Sequence, residues 1–518
     1  MRSLLTERCV DAIIALSGPI ETARIEIFYG ISWRNAMIDL TVCLDPTASR
    51  PLYQQLYDSL TDQIRSGRLK SGDRLPGKRS LASQLAVAVN TVDTAYQMLV
   101  AEGYLEARAK SGFFVLEYTD MFPQTVAPIV EKGPSPPSPA PAPKFDLSTG
   151  AVDTALFPFR TWGRIQKDLL YNGSGLLSHG HRQGDPELRR ELEVYLRSYR
   201  GVICSPEQIV VGAGVEYLLG LAAALLRGST AAVENPGYDR SRTILENNGI
   251  ACRCVGIDSA GLDPAELEAS GADLCYVTPS HHFPTGVTMP AGRRAQLLRW
   301  AAAQPGRYIL EDDYDAEFRF DMRPIPSLQG MAGPDGPVVY LCTFSKSLAP
   351  SIRIACMVLP WPLLERYRQT FGSYASTVSR FEQQTLRQFL EEGYFSRHLA
   401  RMRSAYKGRM ERLAAALEEA FGREKIRLDG RHTGLHLLLT LPDGPGESAM
   451  IASAQKEGVR LRGLSEYYME RRELCRENTV VLGYASLKNE EIPELVQALR
   501  RAWLPGVERR DLQWQLTV

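Results

Sequence analysis

A lysine set among hydroxyls, Thr343-Phe344-Ser345-Lys346-Ser347, follows the apolar run Val338 to Leu341, and Arg353 stands seven residues on. That grouping suits an amine nucleophile beside a phosphate, with hydroxyls and a guanidinium fork for the anion and the amine for covalent attack. Upstream, Ile309-Leu310 runs into Glu311-Asp312-Asp313-Tyr314-Asp315, driving carboxylates out of the end of an apolar strand. Glu234-Asn235-Pro236-Gly237-Tyr238 ends a similar run with an aromatic ring able to stack on a planar ligand. Val211-Gly212-Ala213-Gly214 leads straight into a helical pattern, where glycines let backbone N–H groups cradle an anion. Val277 to Gly286, VTPSHHFPTG, reads as a tight irregular turn. Taken singly, each has an ordinary alternative: a core tyrosine, a solvated acidic loop, an exposed lysine.

These side chains can meet only if a scaffold delivers them to one edge. Beyond Leu147, short apolar runs alternate with helical patterns: QIVVGAG then VEYLLGLAAALL, AAVENPGY then DRSRTILENN, then DLCYVTPS, RYILEDDY, VVYLCTFS and IACMVLP. Such alternation predicts an α/β fold with a largely parallel sheet, whose strand ends bind ligands.

Order and spacing narrow the reading. A stacking aromatic, a proline turn, an acidic strand end with tyrosine, and a Ser-Lys pair 34 residues beyond Asp312 resemble the fold-type I aminotransferases. More narrowly, ENPGYDRSR, TPSHHFPTG, EDDYDAEFRF and TFSKSLAPSIR are similar to the aminotransferase-like half of MocR/GabR-type regulators. That resemblance implies pyridoxal 5'-phosphate, with Lys346 forming a Schiff base to its aldehyde and Asp312 keeping the pyridine nitrogen protonated. Strand alternation sends Asp312 and Asp313 to opposite faces; the resemblance favours Asp312, and Asp313 stays the alternative. It also implies Tyr314 on the ring 3-oxygen, Tyr238 stacked on the ring, and Arg240 reaching toward a ligand carboxylate. The phosphate would fall to Thr343, Ser345, Arg353 and the turn at Ala213-Gly214. Two departures stand out. Phe283 occupies the place of the asparagine that aminotransferases set before Pro-Thr-Gly, with His281 or His282 as substitutes. No arginine lies in the strand Val480 to Tyr484, which leaves Arg460, Arg462, Arg471, Arg472 and Arg476 as candidates for a carboxylate grip. Full transamination is therefore expected to be weak or vestigial.

A second body precedes this one. Leu52, Leu56, Leu60 and Ile64 recur at four-residue spacing, the stripe of an amphipathic helix. A turn-rich break follows, then short helices over Ser80 to Ala86 and Thr91 to Glu102, closed by Gly103. Tyr104-Leu105-Glu106 and Phe113-Phe114-Val115 form a hairpin about a Lys-Ser-Gly turn. Three helices and a hairpin make a winged helix-turn-helix. PLYQQLYDSL, GRLKSGDRLPGKRSLASQL and NTVDTAYQMLVAEGYLEARAKSGFFV resemble the GntR-type winged helix. By that resemblance Lys78 and Arg79 meet phosphate, Asn90, Thr91 and Thr94 lie at the recognition helix, and Lys110 to Gly112 form the wing. Ala88-Val89 replaces the Ser-Arg pair usual there, removing a charge-assisted contact. Nine basic against six acidic residues between Arg50 and Val115 leave a surplus of about three charges, so two half-sites held by a dimer are expected.

Between the bodies, Thr119 to Lys144 is a proline-rich, semi-stiff tether. The expected division is an N-terminal extension over 1–36, a DNA-binding domain over 37–118, a linker over 119–144 and a cofactor domain over 145–518. The 518 residues carry 60 basic and 60 acidic side chains. That balance excludes a supercharged nucleic-acid coat and a polybasic membrane-surface protein. Nine scattered cysteines without Cys-x2-Cys pairs fit a reduced cytoplasm and predict no metal site. No apolar run reaches membrane-spanning length, and no signal peptide is expected. The whole reads as a regulator that binds promoter duplex DNA as a homodimer and senses pyridoxal phosphate, an amino compound, or both. An active aminotransferase with an accessory DNA-binding module is the alternative. Vitamin B6, γ-aminobutyrate, taurine and D-amino acids are all compatible effectors.

Overall fold

The computed structural model describes residue 40 and residues 42–117, 142–321 and 325–504. The chain divides into two compact units, residues 1–139 and 140–518. The tether falls mostly outside the described residues, as does the extension over 1–36.

In the first unit, the helix Leu52–Arg65 turns Leu56, Leu60 and Ile64 inward against Val92, Ala95, Tyr96 and Leu99 of the helix Val89–Ala101. Burial of each such side chain contributes about 1.5–3 kcal/mol. The short helix Lys78–Gln84 completes the set. Both later helices begin slightly earlier than the pattern suggested. The hairpin pairs Leu105–Arg108 with Gly112–Val115 in antiparallel register. A third strand, Arg74–Leu75, lies antiparallel to the second hairpin strand. Two residues inside a turn-rich stretch carry too little pattern to be read as a strand. Leu40, Val42 and Leu44 pack against this core.

The second unit is built on an eight-stranded sheet in the order Ile209–Gly212, Ala355–Val358, Val338–Thr343, Tyr308–Asp313, Leu274–Val277, Thr230–Asn235, Ala251–Asp258, Gly261–Leu262. Five neighbouring strands, from Val338–Thr343 to Ala251–Asp258, are parallel. Ala355–Val358 runs against both of its neighbours. Its first residue therefore lies at the edge where the parallel strands end, with Ala355 opposite both Thr343 and Gly212. Alanine-rich and leucine-rich helices, such as Val215–Leu225, cover the faces and bury apolar residues on them. The 28-residue helix Tyr394–Phe421 leads to a smaller antiparallel sheet of Arg427–Asp429, His436–Thr440, Thr479–Gly483 and Arg462–Gly463.

Candidate cofactor site and DNA-facing helix

Where the parallel strands end, a cavity of about 410 Å³ opens. Tyr238, Asp312, Tyr314, Thr343, Ser345, Lys346, Arg240 and Arg353 all line it. Residues more than a hundred positions apart thus meet because consecutive parallel strands deliver their C-terminal residues to one edge.

Alternation separates the two aspartates. Asp312 faces the cavity. Its Oδ2 accepts a 2.5 Å hydrogen bond from the Tyr276 phenol, and its Oδ1 is buried without a partner. Asp313 points the other way, 2.8 Å from the fully buried Arg200, and accepts from the Tyr340 phenol at 2.7 Å. Arg200 also pairs with Glu317 at 2.6 Å. Burial opposes ionisation of Asp313, yet the Arg200 guanidinium beside it holds its carboxyl below the usual range. Asp312 has no such cation: burial pushes it up to about 7, with the Tyr276 hydrogen bond acting in the other direction.

Lys346 sits in the connection between the strands Val338–Thr343 and Ala355–Val358. Its Nζ donates to the Thr149 and Gly150 carbonyls at 2.5 and 3.1 Å. Burial lowers its pKa to about 8, opposed by the nearby Asp315. An amine so placed is partly unprotonated near neutral pH and competent for attack on an aldehyde. Thr343 and Ser345 share a 2.9 Å hydroxyl contact on the cavity wall. Arg353, at φ 55°, donates to the Ala213 carbonyl at 3.3 Å.

The N–H groups of the Ala213-Gly214 turn are already engaged. The Ala213 N–H is taken by Thr377 Oγ1 at 3.0 Å and the Gly214 N–H by the Gly212 carbonyl at 2.8 Å. The wall is made instead by Val215 and Glu216, in the first turn of the helix, where N–H groups have no intrahelical acceptor. Gly214 has a different task. At φ 94°, it makes room for the guanidinium, since a Cβ there would come within 2.4 Å of Arg353 Nη2. Glu216 bridges two cations, with Oε2 3.0 Å from Arg353 and Oε1 3.1 Å from Arg240. Sequence reasoning missed it, because a glutamate in a first helical turn looks like ordinary dipole compensation.

His281 does not line the cavity. It lies behind Tyr314, with Nδ1 3.0 Å from the phenol oxygen and 2.9 Å from the Asp315 carboxylate, and packs so closely on Gly434 that no Cβ fits there. His282 turns toward Thr285 and Glu234, and burial lowers its pKa to about 3. The asparagine's place is filled by Phe283, edge-on to Tyr238 and Tyr314. Tyr276 was also missed, although it alternates with Thr278 on the cavity side of its strand. Of the five candidate arginines, Arg462 alone lines the cavity. Arg460 pairs with Asp146, Arg471 with Glu266 and Arg476 with Asp429, while Arg472 donates to the Tyr468 carbonyl.

In the first unit, Asn90 and Thr94 lie on the exposed side of the helix Val89–Ala101, and Arg79 and Lys110 are exposed. Thr91 is half-buried near the start of that helix. Lys110 takes φ 61° in the wing turn, followed by Gly112 at φ 110°. Lys78 differs from expectation. Its ammonium is paired with Asp93 and lies 5.2 Å from the Phe113 ring centroid, so it is not a free phosphate ligand.

The doubly wound sheet, the separate antiparallel lobe and the lysine–aspartate cavity define an aminotransferase-type α/β domain. Residues 142–499 match the family Aminotransferase class I and II, and residues 52–115 match Bacterial regulatory proteins, gntR family. The second unit is similar to an archaeal alanine:glyoxylate aminotransferase at 25% identity and TM-score 0.62, over 69% of this chain and 90% of that one. It is likewise similar to LysN, the α-aminoadipate aminotransferase of Thermus thermophilus, at 26% identity and TM-score 0.60, over 69% and 91%. Over nearly its whole length the chain is similar to the HTH-type transcriptional regulator YhdI of Bacillus subtilis (strain 168), at 39% identity over 90% of this chain and 99% of that one. The HTH-type pyridoxine biosynthesis transcriptional regulator PdxR of Corynebacterium glutamicum is 31% identical, over 87% and 95%. The "Probable rhizopine catabolism regulatory protein MocR" of Rhizobium meliloti is also 31% identical, over 89% and 95%. The chain belongs to the MocR-type HTH transcriptional regulators, in which a GntR-type winged helix is fused to an aminotransferase class I/II domain.

That fold class is in general pyridoxal phosphate-dependent, and the residues present fit the cofactor. Asp312 Oδ1 is a buried acceptor without a partner, Lys346 is an amine of lowered pKa, and Arg353 with the Thr343 and Ser345 hydroxyls supplies an anion site. Among the described residues no helix is long and apolar enough to cross a membrane, and no His/Cys/Asp/Glu group is arranged to hold a metal.

Proposed function

We propose that this regulator binds pyridoxal 5'-phosphate in the cavity and, with it, an amino compound or vitamin B6 effector that alters promoter binding. The observation that carries the reading is the unpartnered Asp312 oxygen facing the same cavity as the Lys346 amine. When bound, the cofactor supplies a reactive aldehyde and an electron-withdrawing ring. Asp312 would accept the pyridine N–H, with Tyr276 fixing the carboxylate by its hydrogen bond to the other oxygen. Tyr314 would orient the ring through its phenol, held by His281, which Asp315 holds in turn. Thr343, Ser345 and Arg353 would hold the phosphate. Arg462 and the Glu216-paired Arg240 are the cavity cations proposed for an effector carboxylate. Phe283 and Tyr467, in edge-on contact at 4.9 Å, exclude water beside it.

In the proposed division, residues 37–118 bind duplex promoter DNA, 119–144 act as tether and 145–518 sense the ligand inside the cytoplasm. A homodimer through the second unit is supported by an apolar surface over Phe159, Leu170, Tyr171 and Leu177, each more than 60% exposed in the single chain. The effector would act by binding one domain arrangement better than another. Absorbance of purified protein, scanned while pyridoxal phosphate and then candidate amines are added, tests the reading. A visible band that borohydride fixes on Lys346, absent from Lys346→Ala, is expected. An identical reducible chromophore in Lys346→Ala would reject the assignment.

A further inference from the structure

The helix that a winged helix-turn-helix delivers to the major groove spans Val89–Ala101 here, VNTVDTAYQMLVA, and carries neither lysine nor arginine. Val92, Ala95, Tyr96 and Leu99 face the core. Ala88, Val89, Asn90, Thr94 and Gln97 are left exposed. Val89 is 47% exposed, the only large aliphatic side chain left so open among the described residues of its unit, and it stands at the end that approaches base edges first.

The remaining polar groups on this face are partly committed. Asp93 is paired with Lys78, and the Gln97 side chain hydrogen-bonds Asp93. The Thr94 hydroxyl donates to the Asn90 carbonyl at 2.9 Å, which leaves the Thr94 methyl for a partner. The Asn90 side-chain amide has no hydrogen bond among the described residues. Free cations lie around this face, not on it, with Arg79 on the preceding helix and Lys110 in the wing. A guanine is read in the major groove by Arg or Lys on O6 and N7, a thymine by apolar contact with its methyl, and an adenine by Asn or Gln on N6 and N7. The exposed groups match the second and third partners and lack the first.

We infer that this recognition helix reads A·T pairs, with Ala88, Val89 and the Thr94 methyl against thymine 5-methyl groups and Asn90 on an adjacent adenine. Flanking cations bind phosphate and supply affinity without sequence preference. The inference rests on the DNA-binding reading, and the experiment separates the two. Full-length protein is used to select binders from randomised duplexes. The affinity of the selected duplex is then measured against the same duplex with deoxyuridine replacing thymine in the half-site. A half-site with an A·T core is expected, together with about fourfold weaker binding for each contacted methyl removed, the affinity equivalent of one buried methylene-sized group. Val89→Ala should weaken binding to the thymine duplex and lose most of its sensitivity to deoxyuridine, while Val89→Arg should move the selected base toward guanine. A guanine-centred half-site bound equally well with deoxyuridine would overturn the inference and leave DNA binding standing. No salt-sensitive duplex binding at all would overturn both.

Discussion

The face proposed to meet DNA and the cavity proposed to hold the cofactor are assembled in opposite ways. The first is drawn from ten consecutive positions, 88 to 97, and works through side chains left exposed or self-paired. The second draws on positions from Ser148 to Tyr467, and its acid Asp312 and amine Lys346 are buried groups whose charges are set by their surroundings. Substitution at an exposed recognition position should change which duplex is bound and little else. Substitution behind the cavity should reach folding as well as ligand binding, because a buried charge that loses its partner is left in a poor dielectric.

The sharpest way to break this contrast is at Arg200. Arg200→Met leaves Asp313 and Glu317 buried and uncompensated, and should destabilise the second unit by about 3–5 kcal/mol, seen as a lowered melting temperature. Retained stability would mean that the cavity tolerates change as the surface does. A matching test in the first unit is Leu60→Ala, whose side chain is fully buried. A loss of about 2–5 kcal/mol is expected there. Duplex binding should fall while the cofactor absorbance is unchanged, and a change in both would show that the two regions are coupled in folding.

A smaller effect comes from acidity. Burial pushes Glu234 up to about 8 and Glu311 and Asp312 to about 7, so the folded chain retains protons that the unfolded chain has released. Stability contributed this way falls as pH rises through those folded values. The buried His282 has its pKa lowered to about 3, so its own stability change is complete once pH exceeds the unfolded histidine value. Between pH 6.5 and 8, cofactor-free protein should therefore melt at progressively lower temperature. Glu234→Gln should remove about 1–2 kcal/mol of that dependence. A melting temperature that rises over this window would contradict the burial of these carboxyls. Last comes Glu216→Gln. Its ion pairs are partly exposed and worth about 0–1 kcal/mol each, so freeing Arg240 and Arg353 should tighten pyridoxal phosphate binding only about two- to fivefold. Unchanged affinity would remove Glu216 from competition for those cations.

Periodicity made much of the scaffold legible. Apolar runs located six of the eight strands of the large sheet, and the leucine stripe located the first helix of the small unit. Strand alternation sent Asp312 and Asp313 to opposite faces, and only the family resemblance favoured Asp312. What stayed hidden depends on registers that no local pattern records. Arg462 enters the cavity because its strand pairs with Thr479–Gly483, placing Arg462 opposite Val481, while neighbouring arginines find carboxylates elsewhere. The engagement of the Ala213 N–H was hidden for a similar reason: a glycine turn advertises free N–H groups, but Thr377, more than 160 positions away, occupies this one. The pairing of Lys78 with Asp93 joins two helices across a turn, so a count of charges could not reveal it.

The reversed strand Ala355–Val358 has a consequence for how this site can vary between related chains. Because Thr343 and Ala355 are paired across the sheet, the eleven residues 344–354 leave and re-enter at the same place. Lys346 and Arg353 are therefore two prongs of one bracket bolted to the sheet at both feet. Adding or deleting a single residue anywhere in that bracket would shift the amine relative to the guanidinium, whatever the residue's chemistry. Length in this connection should thus be as strictly kept as the identities of its two prongs, and insertions should accumulate everywhere else on the rim before they appear here.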